Sequence, residues 1–448
     1  MKVLLWLIFL VIPIFASSNI YVNLELDKAI EILKQKNLEV NVAKFEEQIK
    51  EYEHELAKAH NYGRLDFIQS AVRSNDAGNV FGFKLQSREA SFSDFGFSEI
   101  GSGINTQPKD LNYPNTRNHF QTKLQYKLPI YTGGKLEQYG KITKALQKLS
   151  IIETQKILNE KLYQLKKSYY DIYLLDTYIH NLNIINKNMD RLEIMAQSMI
   201  DEGYAKKVDL LEVQSKKANV VRMINKAKAN KELVYHFISF LLDTKVKSVS
   251  GDVKNIVLKE KDIEKILQNN LDIKKAKQGL YVTTMAIDLH KASNLPEIGA
   301  FVEYGSADDR FLADFTEHDA YTFGMQLKWN IFNGGASNNA IEKARVENLK
   351  VQSQVNLAKK GIVLQVAKIH TEIKSYNFDI DSLKKEIELT RSIYKNYLGR
   401  YQEKLISIND VIIKQSLEIQ KVLKLNEVQH NRTNKILELE KISNGEVI

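Results

Sequence analysis

The stretch Tyr126-Lys-Leu-Pro-Ile-Tyr-Thr-Gly-Gly-Lys135 decides the fold. An alternating, strand-like run enters Gly133-Gly134, and a very long helical pattern follows. The arrangement recurs at Lys328-Trp-Asn-Ile-Phe-Asn-Gly-Gly-Ala336, where Gly334-Gly335 replace the first pair. Gly133 and Gly334 stand 201 residues apart, and the same spacing relates Phe120 to Tyr321 and Asp209 to Asp410. Three landmarks at one offset mark an internal duplication. Each glycine pair reads as a tight strand-to-helix turn.

Outward from the glycines, each strand has a strict period of two. Phe120, Thr122, Leu124, Tyr126, Leu128 and Ile130 alternate with Gln121, Lys123, Gln125, Lys127 and Pro129. Tyr321, Phe323, Met325, Leu327, Trp329 and Ile331 alternate with Thr322, Gly324, Gln326, Lys328 and Asn330. Alternation over this length predicts strands apolar on one face and wet on the other. The length suits a membrane-spanning β-strand of about 9–11 residues, and terminal aromatics suit an interfacial girdle. Strands are expected at about 65–72, 119–131, 296–304 and 321–332. Four strands cannot close a barrel, and an open edge is not tolerated in lipid. The sequence therefore predicts a barrel shared between chains. Between the first two strands, Arg73–Asn118 is rich in Gly, Ser, Asn, Asp and Phe, and reads as a long loop with short strands.

Helical periodicity dominates the remainder. Leu24–His60 is helical by pattern, and its segment from Lys36 to Lys44 reappears from Asn269 to Lys277. Ile362, Val366, Ile369, Ile373, Tyr376, Ile380, Leu383 and Ile387 step alternately by four and three, the coiled-coil period. None of the five prolines falls between 130 and 295, so nothing there interrupts a long helix. The helices turn at two tips, at about 200–208 and 401–409. Gly203 supplies the first turn, and Ser407 or Asn409 caps the helix returning from the second. Met1–Ser18 has the charged start and short apolar core of a secretory leader. The expected organisation is a leader over 1–18, repeat one over 19–242 and repeat two over 243–448.

Composition excludes several classes. There is no cysteine, hence no disulfide, thiolate metal site or lipid-modified cysteine. The net charge of +9 is spread over helices with interleaved glutamates, which predicts solvated faces and no nucleic-acid partner. Thr132-Gly-Gly-Lys135 lacks the first glycine and the final Ser/Thr of a phosphate loop. The nine histidines show no zinc spacing, and no nucleophile elbow occurs. No enzyme, cofactor or metal is expected.

Taken in order, the leader, the duplication, the two strand–Gly-Gly–helix junctions and the two tips resemble the TolC family of outer-membrane efflux channels. The resemblance covers essentially the whole mature chain. It implies a mainly α fold with a small membrane β-barrel portion, built from two repeats of long coiled-coil helices plus β-hairpins. Three chains would assemble into one α-barrel/β-barrel tube in outer-membrane lipid, reaching into the periplasm. The implied role is a passive exit duct for efflux or type I secretion, joined to a periplasmic adaptor and an inner-membrane pump. The alternative is a periplasmic adaptor or coiled-coil scaffold, which leaves the amphipathic strands unexplained.

By position, Tyr401 and Asp209 match a family pair that holds the tips closed, and Asp410 matches a carboxylate of the constriction ring. This chain departs from the pattern: Ile406 replaces the expected arginine, Ile413 the second ring carboxylate, and Lys404 the expected tip glycine. A closed state held partly by apolar contact between the Ile406 and Ile413 neighbourhoods is therefore expected. The competing reading of Asp209 and Asp410 is an acid that favours a helix start. Gly203, Tyr204, Lys404 and Leu405 are the expected adaptor-contact tips. The exported substrate and the cognate pump are not legible.

Overall fold

The computed structural model describes residues 20–250, 262–311 and 316–444. The leader read in residues 1–18 lies outside them. In chain order the elements are α1 (Leu26–Lys36), α2 (Leu38–Ala59), β1 (Arg64–Ser74), α3 (Ala77–Gln86), α4 (Lys109–Asn112), β2 (Arg117–Tyr131), α5 (Lys135–Asp201), α6 (Lys207–Leu241), α7 (Ile263–Asn269), α8 (Leu271–Ala292), β3 (Glu297–Asp308), β4 (Asp319–Lys328), α9 (Ala336–Gln402) and α10 (Ile408–Ile442). The duplication is visible in the lengths. α5 and α9 each have 67 residues, and α6 and α10 each have 35. No described helix is long and apolar enough to cross a membrane.

The chain divides into two compact units. The first comprises Met1–Glu47, Ser150–Lys277 and Gln354–Ile448. Its helices bury apolar stripes in matched cores. In repeat one, Leu33, Leu165, Tyr169, Ile238 and Leu241 pack together. In repeat two, Ile266, Val366, Ile369, Ile373, Ile436 and Leu437 do so. The shared sequence segment explains a shared break. Asn37 lies between α1 and α2, where its Oδ1 accepts from the Val40 amide at 3.0 Å and its Nδ2 donates to the Leu241 carbonyl at 2.8 Å. Asn270 does the same between α7 and α8, to Ile273 at 3.0 Å and Ile442 at 2.9 Å. Each buried asparagine caps one helix and ties it to the end of another.

The second unit comprises Gln48–Leu149 and Gln278–Ser353 and holds one antiparallel sheet in the order β1-β2-β3-β4. Its register aligns the period-two faces. On one face Leu65 and Phe67 stand opposite Tyr126 and Leu124, which stand opposite Val302 and Tyr304, which in turn meet Phe323 and Tyr321. The other face is mainly polar, with Ile68, Val72 and Phe301 interspersed: Lys123 Nζ lies 3.2 Å from Glu303, which also accepts a hydrogen bond from Gln125. The outer edges of β1 and β4 have no strand partner among the described residues. The apolar residues of β4 lie bare, Phe323 at 73% exposure.

At the junctions Gly133 and Gly134 have φ of 64° and 85°, and Gly334 and Gly335 have 66° and 84°. All four are left-handed, as a glycine pair permits. A side chain at Gly133 would also collide with the Ala292 carbonyl at 2.6 Å.

Two expectations are corrected. The fourth strand stops at Lys328 rather than reaching 332, because its last partner is Glu297 and the preceding Pro296 has no amide to extend the ladder. Trp329 turns aside, and its indole N–H donates to the Asn294 carbonyl at 3.0 Å. The first loop contains helices rather than short strands. Asp76 caps α3 by accepting from the Asn79 amide at 3.0 Å, which starts a helix inside this loop.

Candidate functional site

The two helical turns have one backbone design. Gly203 has φ of 82°, and Lys404, 201 positions later, takes the same left-handed conformation at 61°. After each, an amide reaches back to close the helix: Tyr204 N–H to the Met199 carbonyl at 2.7 Å, and Leu405 N–H to Arg400 at 2.9 Å. A lysine in this slot carries backbone strain that glycine avoids. Its side chain gains contacts in return. Lys404 Nζ lies 3.2 Å from Glu202 and 3.5 Å from the centre of the Tyr204 ring, so it joins the second tip to the first. Some desolvation opposes its charge, but the bond to Glu202 and the Tyr204 and Glu202 electrostatics outweigh it and raise its pKa.

Asp209 and Asp410 both serve helix starts. The Asp209 carboxylate accepts from the Lys206 amide at 2.8 Å. The Asp410 carboxylate accepts from the Ser407 amide at 3.1 Å and its hydroxyl at 2.7 Å, so Ser407 is the cap of α10. These are capping-box carboxylates at N3, with Asp in the position usual for Glu. Both carboxylates remain partly exposed.

Tyr401 is buried at 5% exposure among Met189, Leu192, Met199, Val213, Ile408 and Val411. Burial pushes its phenol pKa up, and the Asp209 charge adds to this. Its hydroxyl nonetheless has no hydrogen-bond partner among the described residues. Tyr401 and Asp209 are thus brought near but not bonded, because the Asp209 carboxylate is turned to the Lys206 amide. Ile406 packs against the same core. Ile413 does not: it is 48% exposed, since α10 turns Ile408, Val411 and Ile412 inward and Ile413 away. Within one chain Ile406 and Ile413 therefore do not share a core, and the expected contact of their neighbourhoods is a matter for the assembled tips. Tyr204 and Leu405 are 64% and 67% exposed, although one face of the Tyr204 ring carries the Lys404 ammonium.

Sequence reading missed the Lys404 bridge, although the occupied glycine slot was its signal. It also missed a pair whose charges swap between repeats. Lys217 lies 2.8 Å from Asp190; at the equivalent positions Arg391 lies 3.0 Å from Glu418. Glu418 is 1% exposed and also accepts from Gln415 at 2.9 Å. Among the described residues one acidic cluster, Glu89, Asp308 and Asp309, has metal-like spacing. Arg117 reaches Glu89 and Asp309, and the His318 ring lies 3.0 Å from Asp308, so protein side chains already partner all three carboxylates.

Residues 263–445 match the family model described as outer membrane efflux protein. Solved structures share the fold over nearly the whole chain. The outer-membrane channel OprN superposes with a TM-score of 0.79 at 14% identity, covering 94% of this chain and 90% of its own. The Vibrio cholerae outer membrane protein VceC gives 0.76 at 14% identity, covering 94% and 96%. The Campylobacter jejuni CmeC outer membrane channel gives 0.75 at 14% identity, covering 94% and 86%. A search of curated proteins finds no match.

Proposed function

We propose that this chain is the outer-membrane exit duct of a tripartite export system, passive itself and driven by an inner-membrane pump. The observation that carries the reading is the two-faced sheet. Its bare apolar face suits lipid, its Lys123–Glu303 face suits a water-filled lumen, and both edges await partners. Pairing the β4 edge of one chain with the β1 edge of the next satisfies both edges in a closed ring. A homotrimer, as in the TolC family, would supply three such sheets. The matched family and fold support this reading.

In this duct the hairpin tips form the constriction. Asp410 from each chain would present a carboxylate to passing cations while it holds the Ser407 cap of α10. Ile413, free on its own chain, would meet a neighbour near the axis. Tyr204 and Leu405 would contact a periplasmic adaptor. A scaffold or adaptor needs no sheet of this kind, which makes fractionation the discriminating test. After a carbonate wash the protein should stay with outer membranes and run as a trimer; release into the wash as a monomer would refute the duct.

A further inference from the structure

We propose that residues 77–112 form a folded cap that reaches into the outer mouth of the duct and limits the size of what passes. The inference rests on the reading of the polar sheet face as the lumen. Period-two alternation puts Arg117, His119, Gln121, Lys123, Gln125 and Lys127 on that polar face. The loop is fastened to it. The Phe83 ring of α3 stacks on His119, with centres 4.1 Å apart and planes at 7°. His119 is buried as a result, although Lys127 on the same face is exposed. Arg117 donates to the Ser87 hydroxyl at 3.0 Å and pairs with Glu89. A third fastening crosses to the other hairpin: Arg88 donates to the Glu317 carbonyl at 3.3 Å and to that of Asp319.

The segment is also internally built. Val80 is buried, Phe81 meets Phe95 edge-on at 5.0 Å, and Lys84 pairs with Asp94. Gly96 packs so closely on Pro108 that a side chain there would overlap it. A segment with its own contacts and anchors on both hairpins holds its position over the face it covers. A loop that merely extended into solvent would need none of these anchors. The connection between β3 and β4 is much shorter, so the cap belongs to repeat one alone.

The chain has no cysteine, so single cysteines report access directly. Lys127→Cys places a thiol on the polar face, and Phe323→Cys places one on the apolar face. Intact cells are treated from outside with a small charged maleimide or a long polyethylene-glycol maleimide. The cap account predicts that the small reagent labels Lys127→Cys and the long one does so slowly. Replacing residues 77–112 by a short Gly-Ser turn should speed the long reagent ~10-fold or more, about 1.4 kcal/mol in barrier. The double substitution Phe83→Ala with Arg117→Ala, which keeps the loop but cuts two anchors, should act in the same direction and serves if the shortened chain does not fold. Equal rates for the long reagent with and without the cap or its anchors would overturn the proposal while leaving the duct intact. Charged reagent labelling Phe323→Cys as fast as Lys127→Cys would instead overturn the face assignment, and the duct reading with it.

Discussion

Gly203 and Lys404 show how much a single position decides. Both turns need a left-handed residue. Gly203→Ala should cost roughly 1–2 kcal/mol, seen as a lower denaturation midpoint. Lys404→Gly should instead relax the backbone and release the Glu202 and Tyr204 contacts, so the hairpin stays folded while the two tips separate more readily. Limited proteolysis at the tips reads the difference. The sequence exposed the missing glycine at 404 but not its consequence, because the partners Glu202 and Tyr204 lie on the other repeat. Tyr394 gives a pH test in the same core. Burial pushes its pKa up from 10.0 to about 12, the Glu418 charge adds to this, and Arg191 opposes it. The folded state therefore favours the neutral phenol. That contribution is complete below pH 10 and is lost as pH climbs towards 12. Melting temperature should fall over this window, and Tyr394→Phe should flatten the fall.

At the scale of elements, the repeat is a rule about helix breaks as much as about helices. Asn37 and Asn270 were legible as members of a repeated segment, but the sequence reading ran Leu24–His60 as one helix. The break requires the carbonyls of Leu241 and Ile442, which no local pattern reveals. Asn270→Ala leaves the Ile442 carbonyl and the Ile273 amide without their partner and should cost about 1–3 kcal/mol. Asn37→Ala should cost a similar amount, and denaturant titration of the two variants checks the equivalence. The first loop was the least legible element. Its α3 depends on the cap at Asp76 and on fastenings to β2, whereas its composition resembles any polar connection. Strand length in β4 failed for a similar reason, since the alternation continues beyond Lys328 but the partner does not.

For the whole molecule, the account stands on a sheet that is complete only with its neighbours. The two faces were legible because a period of two needs no tertiary information. The antiparallel order β1-β2-β3-β4 was not, since it depends on pairing β2 with β3 across the repeats. Leu327→Arg puts a charge on the bare apolar face of β4. Lying one residue from the end of β4, it should cost about 0–1 kcal/mol, the interfacial range, seen as a modest loss of folded trimer from the outer-membrane fraction. Conductance of purified, folded protein in a planar lipid bilayer tests the central claim most directly, with wild type beside Asp410→Asn and Lys404→Gly. The duct account predicts small cation-selective currents, weaker selectivity in Asp410→Asn, which loses charge but keeps an acceptor for the Ser407 amide, and larger currents in Lys404→Gly. A silent bilayer from all three proteins, each shown to be folded and trimeric, would contradict it.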